Sequence, residues 1–159
     1  MREKKSTQSK SQAAPVMTDA KKFEDRALVA LRNAGFRITM PRVLVIRALA
    51  NTKTALSAYA IHEKIIATDG KTDVVSVYRI LSTLQEVGMI HHIGIVDGYF
   101  PAHLNSATPH TEVIVNESTG HVIELEFPES VLEDIRRQGL EHHFEATTIK
   151  IEIMGNKVR

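Results

Sequence analysis

There is no cysteine among the 159 residues. Disulfides and thiolate metal sites are thereby excluded, and any metal has to be held by His, Asp and Glu. Tryptophan is also absent, and aromatic residues make up only 5% of the chain. The core must therefore be built mainly from aliphatic side chains, for which a hydrophobic content of 43% is enough. No apolar run approaches the roughly 20 residues that a membrane-spanning helix needs. The first residues carry no signal-peptide pattern, so the expected location is the cytoplasm, with no membrane partner. No nucleophile elbow, catalytic triad or HExxH helix occurs, so no enzyme is expected.

The formal net charge of +1 hides a split. Residues 1–100 hold 15 Lys and Arg against 9 Asp and Glu, while residues 101–159 hold 5 against 10. A basic front half points to a polyanionic partner and an acidic back half to a separate task. Residues 1–17 are rich in Lys, Ser and Gln without apolar period, which predicts a disordered basic arm.

Four helical stripes follow. Thr18 can cap the first, with Phe23, Ala27, Ala30, Leu31 and Ala34 on one face and Gly35 at its end. Thr39 can cap a second that packs Val43, Leu44, Ile46 and Leu49 inward, with Pro41 in its first turn. Ser57 can cap a third through Tyr59, Ile61, Ile65 and Ile66. The fourth is the stretch Asp73–Gly88, with Val74, Val77, Ile80, Leu81, Leu84 and Val87 on one face. Its other face carries Ser76, Tyr78, Arg79, Ser82 and Thr83, with no acid before Glu86. That face suits phosphates and base edges. The period then changes: Met89–Ile95 and Tyr99–Pro101 predict two short strands around Asp97-Gly98. Helices followed by a hairpin make a winged helix-turn-helix, whose last helix enters the major groove.

LNSATP at 104–109 predicts a hinge. Beyond it come apolar strands at Val113–Val115, His121–Phe127 and Phe144–Met154, and a helix from about Pro128 to His142. In the last strand Ile149, Ile151 and Ile153 alternate with Lys150 and Glu152. A unit this small rarely stands alone, so self-association is expected. The fold class is thus α+β. A basic arm (1–17) precedes a winged-helix DNA-binding domain (18–101), a hinge (102–109) and a small α/β dimerisation domain (110–159). A two-fold dimer would place two reading heads on a palindromic double-stranded operator.

Four segments carry a family signature: LRNAGFRITMPRVLVIRAL at 31–49, LSAYAI at 56–61, SVYRILSTLQEVGMI at 76–90 and GHVIEL at 120–125. On these the chain resembles the ferric uptake regulator (Fur) family over roughly Leu28 to Gly155. The resemblance implies a dimeric DNA-binding repressor whose operator affinity depends on a divalent metal. SAY at 57–59, GMIH at 88–91, Tyr99 and the spacing to His110 are most similar to the zinc uptake regulator (Zur) branch. That branch implies a regulatory Zn2+ held by His91, His110 and Glu124, with a hinge cysteine as fourth ligand. Ala102 stands at the cysteine position, and the adjacent His103 is the candidate to replace it. Such a nitrogen and oxygen set suits tetrahedral zinc.

The departures from the family are specific. The first CxxC pair of its structural zinc aligns with Asn116 and Thr119, and the chain ends soon after Gly155, where the second pair would begin, so the expectation is one regulatory zinc per chain and no structural one. The iron-type His before the SA motif is Ala55, and the iron-type HxH pair is Thr111 and Val113. A family member that has lost sensing, or one that senses iron or manganese, is the alternative.

Each site residue also has an ordinary reading. Neighbouring strand residues face opposite ways, so only one of His91 and His92 can face a site, and both can simply lie on the wing. His110 alone reads as a loop residue, and Glu124 is unremarkable if it points outward. For DNA, Arg79 can fork to guanine or hold a phosphate. Tyr78 can touch a thymine methyl or pack on its own domain. The resemblance adds Tyr59 at the major groove and Arg37 at the minor groove or backbone, with Ser76 and Arg42 as phosphate contacts.

Overall fold

A computed structural model describes residues 18–103 and 110–159; the basic arm and residues 104–109 of the hinge lie outside the described residues. The front unit contains α1 (Asp19–Asn33), α2 (Met40–Ala50), α3 (Ala58–Ala67) and α4 (Val74–Glu86). Three of the four starts are capped as the sequence predicts. Thr18 Oγ1 accepts the Lys21 amide at 3.2 Å, Ser57 Oγ the Ala60 amide at 3.1 Å, and Asp73 Oδ1 the Ser76 amide at 2.9 Å. Thr39 stands at the N-cap of α2 but makes no side-chain cap bond. Pro41 in the first turn has no N–H to offer it. Gly88, just past the end of α4, has φ +73°, a conformation that costs glycine nothing.

Phe23, Leu31, Ile46, Leu49, Ile61, Ile65, Leu81 and Leu84 form the fully buried centre of this unit. The stripe read on α4 is the stripe that is buried, apart from Val74 and Val87 at its ends, which are half-buried. On α3 the sequence reading overreaches. Ile61 and Ile65 pack inward, whereas Tyr59 and Ile66 are exposed, because a 3.6-residue period cannot hold all four on one face.

β1 (Ile90–Ile93) and β2 (Gly98–Pro101) pair antiparallel as the wing. The first strand stops two residues short of the expected Ile95. Residues 94–96 form one 3-10 turn and Asp97 turns left-handed at φ 46°. The cause lies far off in sequence: the Glu152 carboxylate accepts the Gly94 and Ile95 amides at 2.9 and 2.8 Å.

Gly98 runs close against the loop before α3, where Leu56 and Tyr99 exchange backbone hydrogen bonds at 2.9 and 2.7 Å. A Cβ on Gly98 would lie 2.8 Å from that of Ala55. Gly98→Ala is therefore expected to destabilise the fold by about 1–3 kcal/mol, seen as a lower denaturant midpoint at unchanged slope. An unchanged midpoint would contradict the close approach.

The back unit is a three-stranded sheet in the order β4-β3-β5, with β3 (His110–Asn116) central, β4 (Val122–Glu124) antiparallel to it and β5 (Ile149–Gly155) parallel; α5 (Glu129–Glu141) connects β4 to β5. The edge strands are shorter than their apolar runs predict. Burial along β5 fades from Ile149 through Ile151 to Ile153, so its apolar face is only partly covered within one chain. Ile123 on β4, Leu140 on α5 and Phe144 just beyond it are also exposed.

The two units share an apolar cluster: Ile93 and Phe100 of the wing pack with Val113, Val115 and Val122 of the sheet. The Lys53 carbonyl also accepts the Val122 amide at 2.9 Å, and Thr54 bridges to His121.

Candidate metal centre and nucleic-acid interface

Strand alternation separates the adjacent histidines of the wing. His92 turns to Asp97, with Nε2 3.1 Å from Oδ1, and lies against the Tyr99 ring. His91 turns to the sheet. Its Nε2 is 3.4 Å from Glu124 Oε2 and its Nδ1 is 3.3 Å from Thr111 Oγ1. The side chains of His91 and Glu124 are only 14% and 9% exposed. Glu124 Oε1 accepts the backbone amide of His103 at 2.6 Å. Strand β1, strand β4 and the entry to the hinge therefore meet at one carboxylate.

His103 brings its amide to that carboxylate, while its ring lies with centroids 6.0 Å from both Phe23 and Phe100. The residue is exposed, and with Phe23, Arg26 and Lys53 it borders an open recess of about 520 Å3. A change of rotamer there needs no repacking of the core. Arg26 Nη2 donates to the Ala102 carbonyl at 2.9 Å and steadies the hinge entry. The side chain of His110 lies outside the described residues. Among the described residues no three His, Asp or Glu side chains converge on one point.

The donors at this point suit a borderline divalent cation. A separation of 3.4 Å between His91 and Glu124 is long for a hydrogen bond. Two ligands of a tetrahedral zinc, each about 2.0–2.1 Å from the ion, lie roughly 3.3–3.4 Å apart. The pair already has the spacing of two corners of such a site.

Asn116 and Thr119, which the resemblance aligns with a cysteine pair, build the β3–β4 turn with their own side chains. Asn116 Oδ1 accepts the amides of Ser118 and Thr119, both at 2.9 Å, and Thr119 Oγ1 accepts that of His121 at 3.3 Å. Ser118 and Glu117 also hydrogen-bond Asn156, just beyond β5. A side-chain network ties this turn to the end of β5.

The groove-facing residues of the sequence reading divide into two groups. Arg79 is exposed and makes no ion pair among the described residues. Tyr78 is 44% exposed and meets the 62%-exposed Tyr59 edge to face, with ring centroids 6.4 Å apart. Arg37 is exposed in the loop before α2. Ser76 and Arg42, in contrast, are engaged. Ser76 Oγ donates to Asp73 Oδ2 at 2.7 Å. Arg42 donates to the Arg37 carbonyl, and its guanidinium stacks 5.3 Å from the Phe36 ring centroid. These two hold a cap and a loop in place.

Three residues of this arrangement are absent from the sequence reading of the site: Thr111, Arg26 and Glu152. Their partners lie 20, 76 and 57–58 residues away, and no local pattern marks them. Thr111 had one signal, since it stands where iron-type relatives carry a histidine.

The ferric uptake regulator family matches residues 33–154. The ferric uptake regulation protein of Brucella abortus is 32% identical over 119 residues, covering 71% of this chain and 83% of the relative. The chain belongs to the ferric uptake regulator family. It is accordingly a transcriptional regulator that binds DNA as a dimer, and not an enzyme. Its fold is that of a zinc uptake regulator solved with zinc and DNA (TM-score 0.78, 24% identity, 89% of this chain and 95% of that one). The ferric uptake regulator of Pseudomonas aeruginosa with manganese superposes less fully (TM-score 0.53, 21% identity, 84% of this chain and 98% of that one). None of the described helices is long and apolar enough to cross a membrane.

Proposed function

We propose that this Fur-family regulator is a zinc-responsive repressor that binds a palindromic operator as a homodimer. The observation that carries the reading is the His91–Glu124 pair, which joins the wing to the sheet at 3.4 Å with the hinge amide of His103 on the same carboxylate. His91, Glu124, His103 through its ring, and His110 are the proposed ligands. A bound divalent cation supplies a cross-link there between the winged unit (18–101), the hinge (102–109) and the dimerisation unit (110–159). His91 and Glu124 anchor the two sides, and His103 sits on exposed backbone from which its ring can turn. With the heads less firmly oriented, only a fraction of molecules match the operator spacing and apparent affinity falls by that fraction.

On the DNA side, Arg79, Tyr78 and Tyr59 are the proposed groove readers and Arg37 a backbone or minor-groove contact. Ser76 and Arg42 act from behind, on the cap of α4 and the loop of Arg37. Imidazole and carboxylate alone do not select among zinc, iron and manganese; zinc is favoured by the likeness of SAY at 57–59 and GMIH at 88–91 to the zinc branch, with Ala55, Thr111 and Val113 at the iron-type positions. The deciding experiment is operator binding at fixed salt, with and without a chelator. Weaker binding in chelator, restored by zinc, supports the reading.

A second reading, a Fur-like regulator without metal sensing, is favoured by one observation: the wing and sheet already share an apolar cluster and direct hydrogen bonds. Tight operator binding that a chelator leaves unchanged would establish it.

A further inference from the structure

We infer that Glu152 is a positioning residue for DNA reading: it ties the tip of the wing to β5 and holds the orientation of the reading head independently of metal. The inference rests on the winged unit being the DNA-reading head. The sheet order β4-β3-β5 leaves two edges. On the β4 edge the front unit is attached by the Lys53–Val122 hydrogen bond and by His91 against Glu124. On the β5 edge the attachment is Glu152. Its two oxygens take the Gly94 and Ile95 amides at 2.9 and 2.8 Å, while Lys150 Nζ donates to the His92 carbonyl at 2.9 Å and lies 3.5 Å from Glu152 Oε1.

These are charge-assisted bonds to a carboxylate that is only 16% exposed, which strengthens them over a surface contact. They also satisfy the first amides of the 3-10 turn at the wing tip. One attachment leaves the head free to rock on the apolar cluster between the edges. Attachments on two opposite edges fix its angle. Lys150 and Glu152 belong to the alternate set that β5 turns away from its isoleucines, and the wing tip is what they meet.

Because the chain has no cysteine, Ser82→Cys on α4 and Ser130→Cys on α5, both exposed positions, can be spin-labelled without background. Distances are measured by pulsed electron paramagnetic resonance on labelled protein diluted with unlabelled chain, in EDTA and without DNA. The expected result is one narrow distance population for the parent. In Glu152→Ala that population broadens by roughly twofold or more, one of two attachments being gone, while helical content by circular dichroism is retained. Glu152→Gln, which keeps an acceptor but not the charge, and Lys150→Met should fall between. A parent distribution already as broad as that of Glu152→Ala, or no broadening in Glu152→Ala, overturns the inference. Should the alanine variant fail to fold, Glu152→Gln carries the same comparison. Zinc and operator are not part of the readout, so failure of the proposed zinc function would leave this result standing.

Discussion

Glu124→Gln is expected to weaken zinc binding by at least about 100-fold, since even partners behind metal ligands are worth 10–100-fold. The substitution is chosen on the geometry. A glutamine oxygen still accepts the His103 amide that Glu124 Oε1 takes at 2.6 Å, so no buried donor is orphaned. What is lost is the anionic donor 3.4 Å from His91. Zinc affinity by competition with a chromophoric chelator, together with metal content of the purified protein, reads the effect. One zinc per chain is expected for the parent. Glu126→Ala, an exposed acid two residues on, should leave both values unchanged. Equal affinity in Glu124→Gln and the parent would remove the carboxylate from the site. No zinc in either protein would remove the site itself.

Arg79→Ala should produce a loss of similar or greater size on the DNA side. A guanidinium forked to a base edge is worth about 1–3 kcal/mol. A two-fold dimer makes the contact twice, so the loss is about 2–6 kcal/mol, or roughly 30- to 20,000-fold in operator affinity. Arg79 is exposed and bound to no acid among the described residues, so its removal should not touch the fold. The measurement is operator affinity against affinity for unrelated DNA at several salt concentrations. A base contact predicts loss of the specificity ratio. A phosphate contact predicts uniform weakening and a salt slope smaller by about two, one for each protomer. An unchanged affinity for both would take Arg79 off the interface.

Acid should release the wing tip only below the ordinary carboxyl range. Burial alone would raise the Glu152 carboxyl, but the Gly94 and Ile95 amides and the Lys150 ammonium together outweigh it and hold its pKa below the usual range. A carboxyl with a lowered folded pKa stabilises the fold above its ordinary value of about 4.3, and that contribution is lost as pH falls through the folded value. Hydrogen exchange at Gly94 and Ile95, after correction for the intrinsic rate, should accelerate in that window in the parent and show no such step in Glu152→Gln. Parallel pH profiles would contradict the assignment.

The sequence by itself determined the elements and their order. Stripes of 3.6-residue period marked α1 to α4, and Thr18, Ser57 and Asp73 marked three of their starts, because caps and periodicity are properties of neighbouring residues. It also supplied the family, through motifs local enough to be read as strings, and through that resemblance it named His91 and Glu124 among four candidate ligands. Residue patterning alone left open which of two adjacent histidines faces Glu124, since alternation fixes only that they differ; the resemblance favoured His91, and only the tertiary structure put it 3.4 Å from Glu124 and turned His92 to Asp97. It also showed that Ser76 and Arg42 hydrogen-bond a cap and a loop, that β1 yields to a 3-10 turn at Gly94, and that Glu152 takes the amides of that turn. Each of those outcomes depends on a group brought close only by folding, and a chain read in order carries no mark of what will arrive from 58 residues away.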